Sequence, residues 1–365
     1  MREYLLCLLA AVAVTYLVTP VVRVWAFRFG AMAEVRDRDV HSTPTPRWGG
    51  IAMFIGLCVS AVLASRLPLM STIFSDQRQF TALMTGAVII VVLGMIDDRV
   101  ALDAATKLLG QILAASAMAM QGVTVVWLPI HGTFILDPTT SVLLTVLVVL
   151  VSVNAVNMVD GLDGLAASVV GIGGAAYFSY SYVLSVENGY QRATLATFVS
   201  ASLVGICVGF LPHNWYRARL FMGDTGSMLI GYLMAASSIM LTGQVDPGGL
   251  SGGALLPAVV PILLPLMILA IPLLDLLMAI VRRTRRGRTP FSPDKEHLHH
   301  RLLDLGHGQK RAVLIMTAFT ALIAFGGVST AFVPVWVSFG GVAIGSIALV
   351  GWVLNPPNAQ TVASK

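Results

Sequence analysis

The chain has 365 residues, of which 56% are hydrophobic and only 11% are charged, and its formal net charge is +5. Soluble domains carry about a quarter charged residues, so this composition excludes a soluble enzyme and gives no reason to expect a nucleic-acid partner. The three cysteines stand far apart within apolar stretches, which excludes a disulfide framework and a cysteine-based zinc site.

Apolar stretches of about 18 residues or more recur along the chain, which is typical of an all-α, polytopic integral membrane bundle. The first stretch is too long for the core of a signal peptide, and we predict that it is retained. We expect one integral membrane domain over residues 1–365, with a cytoplasmic basic and histidine-rich loop at 282–311 and a short cytoplasmic tail at 355–365. Hydropathy predicts eleven spans, at residues 4–25, 50–66, 80–96, 107–121, 140–158, 166–185, 192–211, 227–242, 257–281, 312–333 and 335–354.

The distribution of lysine and arginine predicts the orientation of these spans. If the amino terminus lies outside, the inward segments include the dense basic run that begins at Arg282, and the outward segments hold only the arginines at positions 2, 66, 78 and 192. Cytoplasmic loops carry the excess of Lys and Arg in membrane proteins. We therefore predict an external amino terminus, a cytoplasmic carboxyl terminus and a multi-pass protein of the inner (plasma) membrane.

The first acidic cluster is the pair Asp97 and Asp98, which follows an apolar run at the end of the third predicted span. An ionised group at membrane depth is costly without a partner, so such acids indicate function. One carboxylate could accept a proton while the other orients a lysine or a metal-bound water. Alternatively, the pair is a solvated helix end next to Arg99.

The second cluster places Asn157, Asp160 and Asp163 at every third residue, with glycines that permit a sharp turn. Hard oxygen donors of this kind suit Mg²⁺. A calcium loop is the competing motif, although no EF-hand spacing to a terminal Glu follows. A structural polar turn is the third interpretation.

In the third cluster, Asp224 stands between glycines just before an apolar stretch. It is either the amino-terminal cap of a helix or a metal ligand, and Phe221 offers a ring for base stacking. The fourth cluster, around His297, His299 and His300, could bind zinc, but the neighbouring acids and arginines are better suited to phosphate contacts. A solvated loop is the alternative there.

These motifs, in this order, resemble those of the polyprenyl-phosphate N-acetylhexosamine-1-phosphate transferases. That superfamily includes the phospho-MurNAc-pentapeptide transferases and the GlcNAc-1-phosphate transferases. The similarity spans residues 1–330 and includes the early loop from His41 through Arg47 to Gly50. The loop around His297 is similar to that of the GlcNAc-1-phosphate branch, and the whole pattern resembles actinobacterial members.

The resemblance implies a role for each matching residue. It implies that Asp224 and Asn157 are ligands of Mg²⁺, for which Mn²⁺ could substitute. It implies that Asp97 is the base or the anchor for the lipid phosphate, supported by Asp98 and Lys107. The remaining residues implied by the resemblance are Asp160 in the catalytic group, Asp163 and Phe221 at the uracil, His297, His299, His300 and Arg301 beside the sugar diphosphate, and His41 and Arg47 in substrate binding.

By the same resemblance, the protein moves GlcNAc-1-phosphate from UDP-GlcNAc to undecaprenyl or decaprenyl phosphate and releases UMP, as the first membrane step of cell-envelope polysaccharide synthesis. A homodimer is implied by family analogy. Transfer of phospho-MurNAc-pentapeptide is the alternative within the superfamily. A transporter with buried carboxylates is the alternative outside it, although transporter sites lie near the membrane midplane between repeats and no repeat is visible here.

Overall fold

The computed structural model describes residues 1–32, 44–74, 77–128, 134–186, 194–242, 267, 270–287, 302, 305–330 and 332–355. These ranges contain a 3₁₀-helix at Met70–Phe74 and a small antiparallel pair of strands, β1 (Trp127–Leu128) and β2 (Phe134–Ile135). They also contain eleven α-helices: α1 (Arg2–Phe29), α2 (Gly49–Ala64), α3 (Gln77–Val100), α4 (Ala104–Ala119), α5 (Pro138–Val159), α6 (Leu165–Val186), α7 (Thr194–Asn214), α8 (Gly223–Thr242), α9 (Ala270–Arg285), α10 (Gln309–Ser329) and α11 (Val335–Leu354).

The prediction of an all-α, polytopic membrane protein is confirmed. Within the described residues, eight helices are long and apolar enough to cross a membrane, and α2 and α4 are shorter apolar helices of 16 residues each. Every predicted span overlaps one of the eleven helices, although residues 257–266 of the ninth span lie outside the described residues. The number of crossings, the external amino terminus and the boundaries of the domain and its loops stay predictions.

Helix α8 forms the centre of the bundle. Its apolar window is completely buried, and α2, α3, α5 and α7 pack against it. Small residues allow this close approach, because they let helix backbones come together inside a membrane protein. At Gly86 of α3, for example, a Cβ would overlap the ring of Tyr232 on α8, whose hydroxyl donates to the Leu83 carbonyl at 3.0 Å.

Two aspartates cap helices at opposite ends of the bundle. Asp103 accepts hydrogen bonds from the backbone amides at the start of α4, and Asp137 does the same for α5, which begins with Pro138. A carboxylate at this position satisfies amide groups that have no partner within the helix. The caps therefore define where α4 and α5 begin.

We expect Gly94→Ala to destabilise the protein, because a Cβ at Gly94 of α3 would overlap the backbone of Thr225 in α8. Overpacking of this kind costs about 1–3 kcal/mol. A lower thermal unfolding temperature in detergent would show the effect. Gly340→Ala in α11 is the matched control, since a Cβ there would meet no heavy atom within 4 Å. Equal unfolding temperatures for the two variants would contradict the prediction.

Candidate active site

The candidate active site lies at one end of the bundle, where the carboxyl ends of α3 and α5 meet the amino ends of α4 and α8. Asp97 and Asp98 lie in the last turn of α3, Asn157 lies in the last turn of α5, and Asp224 lies in the first turn of α8. Three of the four polar clusters predicted from the sequence thus come together. The fourth, the histidine cluster, lies outside the described residues.

Lys107 of α4 stands between two carboxylates from different helices. Its Nζ is 2.8 Å from Asp97 Oδ2 and also forms an ion pair with Asp224 Oδ2. The backbone amide of Leu102 donates to the other oxygen of Asp97 at 3.0 Å. The side chains of Lys107 and Asp224 remain 24% and 20% exposed, so a solute can reach this ion pair.

Asp98 has a different role from Asp97, because its side chain is completely buried. Its Oδ1 accepts from the Asp224 amide at 2.9 Å, and its Oδ2 accepts from both the amide and the hydroxyl of Thr225, at 3.1 and 2.6 Å. A carboxylate at a helix amino terminus satisfies free amide groups and interacts favourably with the helix dipole. Asp98 therefore positions the first turn of α8 and with it the side chain of Asp224.

Asn157 approaches the same turn of α8 from α5. Its Nδ2 donates to Ser227 Oγ at 3.0 Å, and its side chain also lies within hydrogen-bonding range of Asp224. Ser227 is buried and was not singled out from the sequence. Its place in the first turn after the acid, in a Gly-Asp-Thr-Gly-Ser sequence, is the signal that could have indicated it.

Asp160 lies just beyond α5 and close to other carboxylates of the site. Burial, followed by the nearby carboxylates of Asp224 and Asp98, raises the pKa of Asp160 to about 8. Like charges held close together disfavour ionisation. Asp160 therefore retains its proton more readily than an exposed carboxyl group does.

Asp163, in the turn before α6, is bound to the loop between α7 and α8. Its Oδ2 accepts from the Ala218 amide at 3.0 Å, and the next residue, Gly164, donates its amide to Asn214 Oδ1 at 3.0 Å. The Nδ2 of Asn214 in turn donates to the Leu220 carbonyl at 3.1 Å. Asn214 was missed in the sequence because it stands at the end of an apolar helix, outside every polar cluster.

Backbone hydrogen bonds join the early loop to the residues before α8. The Phe221 amide donates to the Pro46 carbonyl at 2.9 Å, and the amides of Gly49 and Gly50 donate to the carbonyls of Phe221 and Met222, each at 3.0 Å. These hydrogen bonds place Phe221, which is half-buried, beside the start of α2. It also brings Arg47 to the site, where its guanidinium is 3.9 Å from Asp98 Oδ1.

Five of the predicted site residues lie outside the described residues: His41, His297, His299, His300 and Arg301. Their roles stay predictions. The segment that follows the histidine cluster does reach the loop between α7 and α8, since Lys310 Nζ is 5.0 Å from the centre of the Tyr216 ring.

The site has the chemistry to hold a divalent cation. Among the described residues, no group of three or more His, Cys, Asp or Glu side chains is arranged around a single metal position. Mg²⁺ does not need such a group, because it keeps several waters and uses one or two carboxylates with phosphate oxygens. The Asp224 carboxylate and the Asn157 amide oxygen are hard ligands of this type. The described ion pairs of the site join three carboxylates to two cations, Lys107 and Arg47, and this balance favours a further cation there.

Comparison with known proteins assigns the family. The sequence profile of glycosyl transferase family 4 matches residues 80–242. A decaprenyl-phosphate N-acetylglucosaminephosphotransferase of Mycolicibacterium smegmatis is 45% identical over 341 residues, which is 91% of this chain and 83% of that protein. The chain belongs to glycosyl transferase family 4.

Other family 4 relatives support the same branch. The enzyme of that name from Mycobacterium leprae is 43% identical over 96% of this chain and 89% of its own length. A probable undecaprenyl-phosphate N-acetylglucosaminyl 1-phosphate transferase of Bacillus subtilis is 31% identical over 88% of this chain and 83% of its own length. The higher identity to the mycobacterial proteins confirms the resemblance to actinobacterial members. The matched region, from α3 to α8, contains the ion pair of Lys107 with Asp97 and Asp224.

Proposed function

We propose that this protein transfers GlcNAc-1-phosphate from UDP-GlcNAc to a polyprenyl phosphate and releases UMP. The relatives' names support this reaction, and they favour it over the transfer of phospho-MurNAc-pentapeptide. The higher identity to the decaprenyl-phosphate enzymes supports decaprenyl phosphate as the acceptor. The observation that carries the proposal is the partly exposed ion pair of Lys107 with Asp97 and Asp224, which lies at the ends of apolar helices that are long enough to cross a membrane.

The geometry suits an in-line attack by an oxygen of the lipid phosphate on the β-phosphorus of UDP-GlcNAc. Catalysis of phosphoryl transfer depends chiefly on positioning and on charge stabilisation. Lys107 supplies positive charge for the phosphates, and Asp97 orients Lys107 from the side of α3. A lipid phosphate is already mostly ionised at neutral pH, so a base at Asp97 adds less than its positioning of Lys107 does.

We further propose that Asp224 and Asn157 hold a Mg²⁺ ion that neutralises the diphosphate and stabilises the leaving UMP. Mn²⁺ would substitute for Mg²⁺. The positive charge of the basic loops supports a site that faces the cytoplasm from the inner membrane.

The proposal is tested with purified protein in lipid nanodiscs. We expect UMP release from UDP-GlcNAc that requires both decaprenyl phosphate and Mg²⁺, and that stops when the metal is chelated. Release from UDP-GalNAc or UDP-MurNAc-pentapeptide should be at least ten times slower. The proposal fails if UMP is not released, or if chelation leaves the rate unchanged.

A two-step route through an aspartyl phosphate predicts a different exchange reaction. In that route, radiolabelled UMP would enter UDP-GlcNAc without any lipid acceptor. We expect no such exchange until decaprenyl phosphate is added. If radiolabelled UMP entered UDP-GlcNAc without decaprenyl phosphate, the covalent route would be supported and the single in-line attack would be wrong.

A further inference from the structure

A second polar layer lies one helical turn from the charged site and runs from the buried Gln111 to the exposed Asn154. Gln111 of α4 is only 1% exposed, and both ends of its amide have partners on other helices. Its Oε1 accepts from Asn154 Nδ2 of α5 at 2.7 Å, and its Nε2 donates to Met228 Sδ of α8 at 3.4 Å. One buried amide thus joins three helices.

The layer repeats the charged site one helical turn deeper. Residues three or four positions apart lie on the same face of a helix. The corresponding pairs are Lys107 and Gln111 on α4, Asn157 and Asn154 on α5, and Asp224 and Met228 on α8. Gln111 therefore joins the three helices that hold Lys107, Asn157 and Asp224, while Asp97 lies on a fourth helix, α3.

Helix α4 packs closely against α3 at Gly110, where a Cβ would overlap a side chain of α3, but its outward face does little to fix its rotation. It is a short helix whose outer face, with Leu108, Leu109 and Leu113, is exposed and apolar. Apolar residues do not fix rotation well in a bilayer, because lipid chains solvate them at any angle. A hydrogen bond from a buried amide is directional, and an unsatisfied amide is costly there. The bonds of Gln111 therefore hold one rotation of α4.

We propose that Gln111 is a positioning residue for the transfer reaction, because it fixes the rotation of α4 that places Lys107 between Asp97 and Asp224. The inference rests on the proposed function. Lys107 is on the acceptor side of that function, so loss of the Gln111 bonds impairs use of the lipid phosphate. Binding of the uridine nucleotide, at Asp163 and the loop between α7 and α8, does not depend on Gln111.

Gln111→Met tests the proposal, since Met has a similar length but cannot form either hydrogen bond. We expect kcat/KM for decaprenyl phosphate to fall about tenfold, the effect of losing one or two buried hydrogen bonds. The affinity for UMP, measured by calorimetry, should stay within twofold, and the thermal unfolding temperature should not fall. In a Lys107→Arg background the same substitution should have a smaller effect, since residues that act together are not additive.

Gln121→Met, two residues beyond the carboxyl end of α4, is the matched control. The Gln121 side chain donates to the Ala117 carbonyl of α4 itself at 2.8 Å, so this variant should keep the activity of the unchanged protein. The inference is overturned if Gln111→Met keeps the kcat/KM of the unchanged protein for the acceptor. It is also overturned if acceptor use, UMP affinity and unfolding temperature fall together, which would indicate a general packing role. If the unchanged protein itself transfers no sugar phosphate, the proposed function fails instead.

Discussion

Asp224→Asn is expected to lower the rate of sugar-phosphate transfer by about two to three orders of magnitude, the effect of removing one group that stabilises charge in a transition state. The carboxylate forms an ion pair with Lys107 and is the proposed metal ligand, and a neutral amide replaces neither role well. The fold should persist, because Asp98 bonds to the backbone amide at this position rather than to the side chain. Initial rates of UMP release would measure the loss.

Asp137→Asn provides the matched control for that substitution. Asp137 caps α5 at the opposite end of the helix from Asn157, is exposed, and contacts the amides of Thr139 and Thr140. Asn is as good a cap as Asp, so activity should stay within twofold. If Asp224→Asn kept more than a tenth of the activity, the Asp224 carboxylate would not be essential for the reaction, and the prediction would be wrong.

Asp98→Asn is expected to destabilise the protein as well as to inactivate it. Three donors, from Asp224 and Thr225, converge on the two oxygens of Asp98, and an amide would place its own donors against at least one of them. Each buried donor left without a partner costs about 1–3 kcal/mol. We expect a lower thermal unfolding temperature, faster amide hydrogen exchange in the first turn of α8, and transfer reduced about 100-fold because Asp224 is displaced.

Asp103→Asn is the control here, because Asp103 caps α4 in an exposed position and Asn caps almost equally well. A combined loss of stability and activity is expected because Asp98 holds both the first turn of α8 and the Asp224 side chain in place. If Asp98→Asn were inactive with an unchanged unfolding temperature and unchanged exchange in α8, Asp98 would have to act on the substrate directly.

Much of the fold was predictable, because a bilayer imposes strong constraints on the chain. The apolar stretches predicted, in order, the eleven helices of the described residues, since a membrane span must satisfy its backbone hydrogen bonds internally and needs a minimum length. Helix ends were less predictable. The α3 helix continues through Asp98 to Val100, beyond the apolar run. This is possible because the Asp98 carboxylate accepts hydrogen bonds from α8 rather than from water.

The residues of the candidate site were easier to predict from the sequence than the contacts among them. Polar residues stand out in an apolar sequence. Asp97, Asn157 and Asp224 could therefore be predicted as site residues from the local sequence and from the resemblance to the family. No sequence pattern distinguished Asp97, which pairs with Lys107, from Asp98, which binds the first turn of α8, because that difference depends on where α8 begins. Neither Asn214 nor Gln111 was predicted as a site residue, since each is one polar residue in an apolar helix and its hydrogen-bond partners lie outside that helix.

The bonds between Asp98 and α8 have a consequence for biosynthesis. Asp98 and Asp224 are 126 residues apart, and four helices lie between α3 and α8. At ordinary rates of synthesis, roughly 6–25 s pass between the translation of the two residues. During that time the Asp98 carboxylate lacks all three of its donors, so α3 must enter the membrane before its final partners exist. The end of the bundle that holds the candidate active site is therefore completed only after α8 has been synthesised.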